Sequence, residues 1–259
     1  MTPLSASNAL RPLNRLLCLG LPLALMLLLL AFPLTSLDFA LSKLFYSPEL
    51  GFPGKHSYFL ETILHVRVKQ AVIAFVIFAA LGLAVSFTYK PWAWLRQPLG
   101  YLVLTMTLCT AIVTPLKIVT AVHCPWDLSE FGGNETYTPL LSARAQTDKA
   151  GLCWPAGHAS TGFSFFALYF LLRDRRPTLA KSALIFAFAL GTVLSAGRVM
   201  QGAHFLSHCI WTALFDWMIA LSCYYLLIYR KQSGVMKKEG TAPISSTVNG
   251  AHQEPEKNR

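Results

Sequence analysis

Six long runs of apolar residues constrain the fold of this chain more than any other feature of its sequence. The runs span about 16–36, 69–88, 99–116, 158–172, 179–197 and 206–229. A helix needs roughly 20 mostly apolar residues to cross a membrane, and the fourth run is the shortest of the six. Only 13% of the 259 residues are charged, against about a quarter in soluble domains. The sequence therefore predicts an all-α, polytopic membrane protein with a six-transmembrane-helix bundle, and it excludes a soluble enzyme.

Basic residues gather in the short connections between these runs. They lie before the first run and after the second, fourth and sixth, at Arg11, Arg15, Lys90, Arg96, Arg173, Arg175, Arg176, Lys181, Arg230, Lys231, Lys237 and Lys238. If all six runs cross, these residues share one side, which marks that side and both termini as cytoplasmic. The connections at about 37–68, 117–157 and 198–205 then face outward. The net charge of +10 is therefore a topology signal, and we expect no nucleic-acid partner.

The chain divides into one membrane domain and a polar tail. We expect residues 1–231 to form the six-helix domain, because no repeat and no separate soluble unit interrupts the runs. Residues 232–259 are polar and have little to bury, which predicts a disordered cytoplasmic tail. The first run ends without a clear cleavage site for a signal peptide, so we interpret it as an uncleaved span. The compact plan suggests a bacterial inner membrane, and the sequence leaves the oligomeric state open.

Three outward segments carry ionisable residues at helix ends, at 117–127, 153–160 and 198–208. Such residues at one membrane face indicate a functional site. In the second segment, Pro155 suits the first turn of a helix.

The small residues Ala156 and Gly157 expose backbone N–H groups of this helix start, which favours phosphate binding. His158 is placed to give a proton to a leaving oxygen. An ordinary helix start whose histidine touches lipid headgroups is the alternative for this segment.

The third segment combines a guanidinium with two imidazoles. Arg198 offers a planar fork of donors that suits phosphate, and Gly202 permits a tight turn before His204. His208 follows four residues later, so the two imidazoles are expected on one helix face. A histidine nucleophile needs its second ring nitrogen held by a partner. The alternative is an arginine that extends to the membrane surface and histidines that line a polar interface.

Taken in order, these motifs resemble the type 2 phosphatidic acid phosphatase superfamily. They are Lys117 with Pro125 eight residues on, Pro-Ala-Gly-His at 155–158, and Arg198 with His204 six residues later. The resemblance implies a membrane lipid phosphatase that acts on a phosphomonoester or diphosphate lipid at the outer face. It implies no cofactor and no metal, and its partners are the lipid phosphate substrate and membrane lipids. Polyprenyl diphosphate, phosphatidic acid, phosphatidylglycerol phosphate and phosphorylated lipid A are the candidate substrates.

The family scheme assigns a role to each matched residue. His204 would attack phosphorus and form a phosphohistidine, and His158 would protonate the leaving oxygen and then activate water. Lys117, Arg198, Ala156 and Gly157 would bind the phosphate oxygens. His208 would stand where the family has an aspartate that orients the nucleophile.

Four positions depart from the family pattern, at Cys124 for arginine, Ala156 for serine, Gly197 for serine and His208 for aspartate. Losing one preorganised donor costs on the order of 100-fold in rate. A lipid phosphotransferase, or a non-catalytic lipid-phosphate binder or transporter, therefore remains as an alternative.

Two cysteines, Cys124 and Cys153, adjoin the matched motifs. If those motifs converge, the two cysteines are neighbours, and an oxidising outer compartment would allow a disulfide between them. A transition-metal site is the competing interpretation. Its ligands would come from the set His123, Cys124, Asp127, Cys153, His158, His204 and His208.

Overall fold

A computed structural model describes residues 10–143 and 150–230, and within these ranges it contains helices and no strands. The α-helices are α1 (Leu21–Ala31), α2 (Thr35–Lys43), α3 (Val68–Thr88), α4 (Arg96–Ala111), α5 (Val113–Thr120), α6 (Gly157–Phe163), α7 (Phe166–Leu172), α8 (Pro177–Met200) and α9 (Leu206–Tyr224). Stretches of π-helix at Leu16–Gly20, Phe59–Arg67 and Tyr225–Tyr229 extend α1, α3 and α9. The prediction of an all-α membrane protein is confirmed at this level.

Four helical segments of the described chain are long and apolar enough to cross a membrane. They are Phe59–Thr88, Lys90–Asp127, Pro177–Met200 and Leu206–Tyr229. A fifth is available if Leu16–Ala31 and Thr35–Lys43 act as one span, although they meet at an angle of 82°. Pro33 explains this break, because the residue before a proline is pushed out of the helical region.

The fourth apolar run also departs from a single continuous span. It forms the two seven-residue helices α6 and α7, each too short to cross alone. The Ser164 hydroxyl at the junction donates to the Thr161 carbonyl at 3.1 Å, a local bond that competes with regular helix hydrogen bonding. The two helices nevertheless run in sequence between the two ends of the bundle.

Two hydrogen bonds join segments near the basic connections at one end of the bundle. Arg173 donates to the Arg11 carbonyl at 3.1 Å, and Gln97 donates to the Leu227 carbonyl at 2.8 Å. The connections that carry the candidate site residues lie at the opposite ends of the same helices. One end of the bundle therefore carries the basic connections and the other carries the candidate site residues, as the positions of lysine and arginine in the sequence predict.

Two glycines bring α6 against α8 near the candidate site. A Cβ atom added to Gly162 would lie 2.5 Å from the Gly191 Cα atom, so larger side chains at this crossing would force the helices apart. Close packing here fixes the start of α6 relative to the carboxyl end of α8, which carries Arg198.

The outer surface of the bundle is apolar. Phe78 is 72% exposed and Ile185 is 69% exposed. Because large exposed apolar patches are rare on soluble monomers, this surface suits a lipid environment. The predicted tail at 232–259 lies outside the described residues, so the domain boundary at 231 stays a prediction.

Candidate functional site

The carboxyl end of α8 and the start of α9 are joined by a tight turn at Gly202. Gly202 adopts a φ of +69°, which favours glycine, and a Cβ atom there would overlap the Phe52 ring. Its N–H donates to the Val199 carbonyl, and the Ala203 N–H donates to the Arg198 carbonyl, both at 2.9 Å. The turn predicted from the sequence is confirmed, and it places Arg198 and His204 at one site.

His204 is buried in this turn, with 3% of its surface exposed. Its Nδ1 atom lies 3.3 Å from the Sγ atom of Cys153, which forms a disulfide with Cys124. A disulfide sulfur has no hydrogen, so Nδ1 is the donor and the lone pair lies on Nε2. Burial, followed by the charges of His208 and Lys117, holds the pKa of His204 well below its usual range. This environment favours a neutral imidazole, which is the nucleophilic form.

His208 lies beside His204 but does not hold its ring. The two ring centroids are 6.1 Å apart, and the buried Nδ1 atom of His208 has no hydrogen-bond partner in the described chain. The helix α9 begins at Leu206, so His204 precedes it and the i, i+4 geometry expected for the pair does not apply. The sulfur of Cys153 occupies the position next to Nδ1 that the sequence suggested for His208.

Arg198 is held by groups from a segment without any family motif. Its Nη1 atom lies 2.6 Å from the Nδ1 atom of His65, which accepts because a guanidinium can only donate. The same Nη1 donates to the Gln201 amide oxygen at 2.8 Å and forms an ion pair with Glu61 at 3.4 Å. The Nε atom of Arg198 is buried and has no partner within the described ranges, and the contacts described above all use Nη1, so the guanidinium keeps donor capacity for an anion.

His158, in the first turn of α6, packs against His65 with the two rings tilted by 40°. The ring centroids are 3.7 Å apart, and the His158 Nε2 atom is buried without a hydrogen-bond partner in the part of the chain described. Because His65 also contacts Arg198, it links the proton-donor candidate to the phosphate-binding candidate.

The helix start at Gly157 differs in detail from the sequence expectation. Pro155 precedes α6 and does not lie in its first turn, and it follows a cis peptide bond from Trp154. The Ala156 N–H donates to the Thr212 hydroxyl at 2.9 Å, and Ala156 is fully buried. Of the two predicted backbone donors, Ala156 is therefore already engaged within the protein, whereas Gly157 is the first residue of the helix.

Lys117 enters the site from α5. Its charge acts on His204 together with that of Arg198. The two cations come from different helices, α5 and α8. Two positive charges near one histidine suit the multiple oxygens of a phosphate group.

Only part of the alternative metal-ligand set comes together. Among the described residues, Cys153, His204 and His208 form the one group with metal-ligand spacing. His123 lies instead 3.6 Å from Glu135, and the Asp127 carboxylate accepts from the Cys124 N–H at 3.2 Å.

Glu61 and His65 are candidate site residues that the sequence argument missed. Both lie on the π-helical segment Phe59–Arg67 that leads into α3. Their spacing of four residues in an outward connection was an available signal, since it places an acid and an imidazole on one helix face.

Comparison with known proteins gives two findings. The family model of the PAP2 superfamily matches residues 98–232. The lipid A 4'-phosphatase of Francisella tularensis subsp. novicida (strain U112) is 33% identical over 108 residues, which are 42% of this chain and 47% of that relative. The alignment thus spans about half of the length of the curated relative. No solved structure matches the chain.

Proposed function

The chain belongs to the PAP2 superfamily, and we propose that it is a membrane lipid phosphatase that removes phosphate through a phosphohistidine intermediate. One observation carries the proposal: the Nδ1 atom of the buried His204 lies against the Cys153 sulfur, and the charges of Lys117 and Arg198 act on this ring. A neutral imidazole surrounded by fixed cations is suited to attack an anionic phosphorus centre.

In the first half-reaction, the Nε2 atom of His204 attacks phosphorus while the lipid oxygen leaves. His158 gives the leaving oxygen a proton, so the lipid departs as an alcohol or a monophosphate. Lys117, Arg198 and the Gly157 N–H stabilise the charge on the remaining oxygens. The Nδ1–H bond of His204 to the Cys153 sulfur keeps the attacking nitrogen unprotonated.

In the second half-reaction, His158 takes a proton from water, and the resulting nucleophile breaks the phosphorus–nitrogen bond. Inorganic phosphate leaves and His204 returns to its neutral form. A lipid hydroxyl in place of water would make the same chain a phosphotransferase.

The proposed topology has six crossings, with α6 and α7 together forming the fourth. The site then faces the outer compartment, both termini are cytoplasmic, and residues 1–231 form the membrane domain. The hydrogen bonds that join Arg173 to Arg11 and Gln97 to Leu227 support this arrangement, since they gather the basic connections at the end away from His204.

The substrate class is a phosphate or diphosphate carried on a lipid anchor. Lipid A phosphate is one candidate, because the relative is a lipid A 4'-phosphatase. Phosphatidic acid, phosphatidylglycerol phosphate and polyprenyl diphosphate complete the panel of candidates.

The decisive experiment measures phosphate release by the purified full chain in detergent with a chelator present. Wild type, His204→Ala and His158→Ala are each offered the lipid panel. We expect release by wild type, none by His204→Ala, and a loss of about 100-fold in His158→Ala, the low end for a general acid–base residue. Release that survives in His204→Ala would refute the assigned nucleophile.

A quench experiment separates the phosphatase from a lipid-phosphate binder. A lipid labelled with ³²P is mixed with the enzyme and stopped in alkali, in which phosphohistidine survives. We expect label on wild type and on His158→Ala, and none on His204→Ala. Lipid binding with intact phosphate and no labelled protein would favour the binder.

A further inference from the structure

Three metal-ligating side chains meet beside the disulfide. One ligand atom from each of Cys153, His204 and His208 lies within 4.8 Å of the other two, and all three residues are buried. The Cys153 Sγ and His204 Nδ1 atoms are 3.3 Å apart. On a tetrahedral zinc ion, bonds of about 2.3 Å to sulfur and about 2.0 Å to nitrogen separate those ligand atoms by about 3.5 Å. The observed spacing therefore suits zinc after a small adjustment.

His208 brings a free ligand atom to this group. Its Nδ1 atom is buried and has no hydrogen-bond partner among the described residues, and an unpaired buried polar atom lowers stability. A metal ion would satisfy the atom that the protein leaves unpaired.

A cavity reaches one member of this group, His208. It has a volume of about 310 Å³, and His208, Trp154 and Asp38 are among its lining residues. A metal site needs such an entry path. Three protein ligands leave the fourth zinc position open, as in zinc sites that exchange their outer ligand.

The disulfide decides whether the third ligand exists. While Cys153 is bonded to Cys124, its sulfur cannot become a thiolate, which is the form that binds zinc. We propose that reduction of the Cys124–Cys153 disulfide creates a zinc-binding site made of Cys153, His204 and His208. This site lies beyond the phosphatase function and does not depend on it.

The chemical steps balance with a dithiol as reductant. The dithiol breaks the sulfur–sulfur bond, gives one hydrogen atom to each cysteine, and becomes a disulfide itself. Zinc then displaces the proton from the Cys153 thiol. His204 moves its proton from Nδ1 to Nε2, so that Nδ1 and one ring nitrogen of His208 can each give a lone pair to the metal. Because zinc occupies His204, the zinc-bound chain cannot use that residue as a nucleophile.

Two single variants test the site, and we expect them to disturb the fold to a similar extent. Cys124→Ser and Cys153→Ser both remove the disulfide and one sulfur, but only Cys124→Ser keeps the three ligands. Each full chain in detergent is incubated with zinc chloride, separated from free zinc by gel filtration, and assayed for metal content. The buried cysteines Cys109, Cys209 and Cys223 are present in both variants, so any zinc that they bind is the same in the two measurements.

We expect one zinc per chain in Cys124→Ser without reductant and none above background in Cys153→Ser. Wild type should bind one zinc after dithiol treatment and none when oxidised. Equal zinc content in the two variants, or equal binding by oxidised and reduced wild type, would overturn the proposal. Because no lipid is present, the result is independent of phosphatase activity.

A third variant protects the test against misfolding of Cys153→Ser. His208→Ala keeps the disulfide, so its fold can be checked in the oxidised state by its gel-filtration profile. After reduction it should bind less than a tenth of the zinc of reduced wild type, and its cobalt complex should lack the thiolate absorption band. Full zinc binding by reduced His208→Ala would refute the ligand set.

Discussion

The Nδ1 atom of His204 lies 3.3 Å from the Sγ atom of Cys153, so a disulfide sulfur adjoins the nitrogen that the family pairs with a carboxylate. A disulfide sulfur is an uncharged, weak acceptor. It can select the tautomer of the imidazole, but it does not stabilise an imidazolium as a carboxylate would. The neutral form of His204 is therefore favoured by burial and by the nearby positive charges, which lower its pKa.

The first prediction concerns the protonation of His204. Burial and the neighbouring positive charges lower its pKa, so the folded chain should keep this ring neutral at pH 6.5, near the ordinary pKa of histidine. Histidine ¹⁵N spectra, assigned with His204→Gln, should show one tautomer with the proton on Nδ1 down to that pH. A ring that becomes protonated at or above pH 6.5 would contradict this environment.

The lowered pKa of His204 also makes the stability of the fold depend on pH. A histidine with a lowered pKa in the folded state stabilises the fold above the pKa of the unfolded chain, and this contribution falls as the pH drops below it. His204→Gln should therefore lose less stability than wild type between pH 7 and pH 5.5, measured as the change in Tm.

The second prediction concerns the shape of the Arg198 side chain. Arg198→Lys keeps the charge but cannot contact His65, Gln201 and a phosphate oxygen with one planar group. We expect kcat/KM to fall about 100-fold, the size typical of losing one preorganised donor. Arg173→Lys is the control, since it makes the same change at the opposite end of the bundle. A loss shared equally by both variants would indicate damage to the fold.

The third prediction concerns the acidic residue beside Arg198. Glu61 is half-exposed and lies 3.4 Å from the guanidinium, where it repels an incoming phosphate. Glu61→Gln should lower KM by up to about fivefold at low salt, in line with the modest energy of an exposed ion pair, and leave kcat within about twofold. Glu130→Gln, whose carboxylate accepts only from the Ser129 hydroxyl within the described chain, should leave KM unchanged. A higher KM in Glu61→Gln would mean that the carboxylate positions Arg198.

The fourth prediction concerns the turn at Gly202. Gly202→Ala adds the strain of a positive φ, about 1–2 kcal/mol, and also a collision with the Phe52 ring. Gly51→Ala is the matched control, because Gly51 has a φ of +67° with open space around it. We expect Gly202→Ala to lower Tm more than Gly51→Ala and to reduce phosphate release at least tenfold. Equal losses in Tm would show that the Phe52 contact is unimportant.

The sequence was informative wherever a residue's role depends on its immediate neighbours. Gly202 could be recognised as a turn residue because His204 follows Arg198 by six positions and a glycine lies between them. The basic connections were informative for the same reason, since their position relative to each apolar run is fixed by the chain. In both cases the structure contains the local arrangement that the sequence indicates.

Other features depend on packing between distant segments, which spacing alone does not reveal. Glu61 and His65 reach Arg198 only because the segment before α3 packs along α8. The relation between His204 and His208 depends on where α9 begins, and Leu206 as its first residue removes His204 from the helix. The break between α6 and α7 coincides with a serine hydrogen bond to the backbone, a local feature that a count of apolar residues does not detect.

The contacts made by His65 have a consequence for how this site can change. Residues 98–232 match the family, whereas His65 and Glu61 precede that region and yet touch its arginine. An amino-terminal segment outside the matched region thus sets the charge and shape around an arginine within it. Substitutions in Phe59–Arg67 therefore offer a way to change the surroundings of Arg198 while every residue that matches the family stays the same.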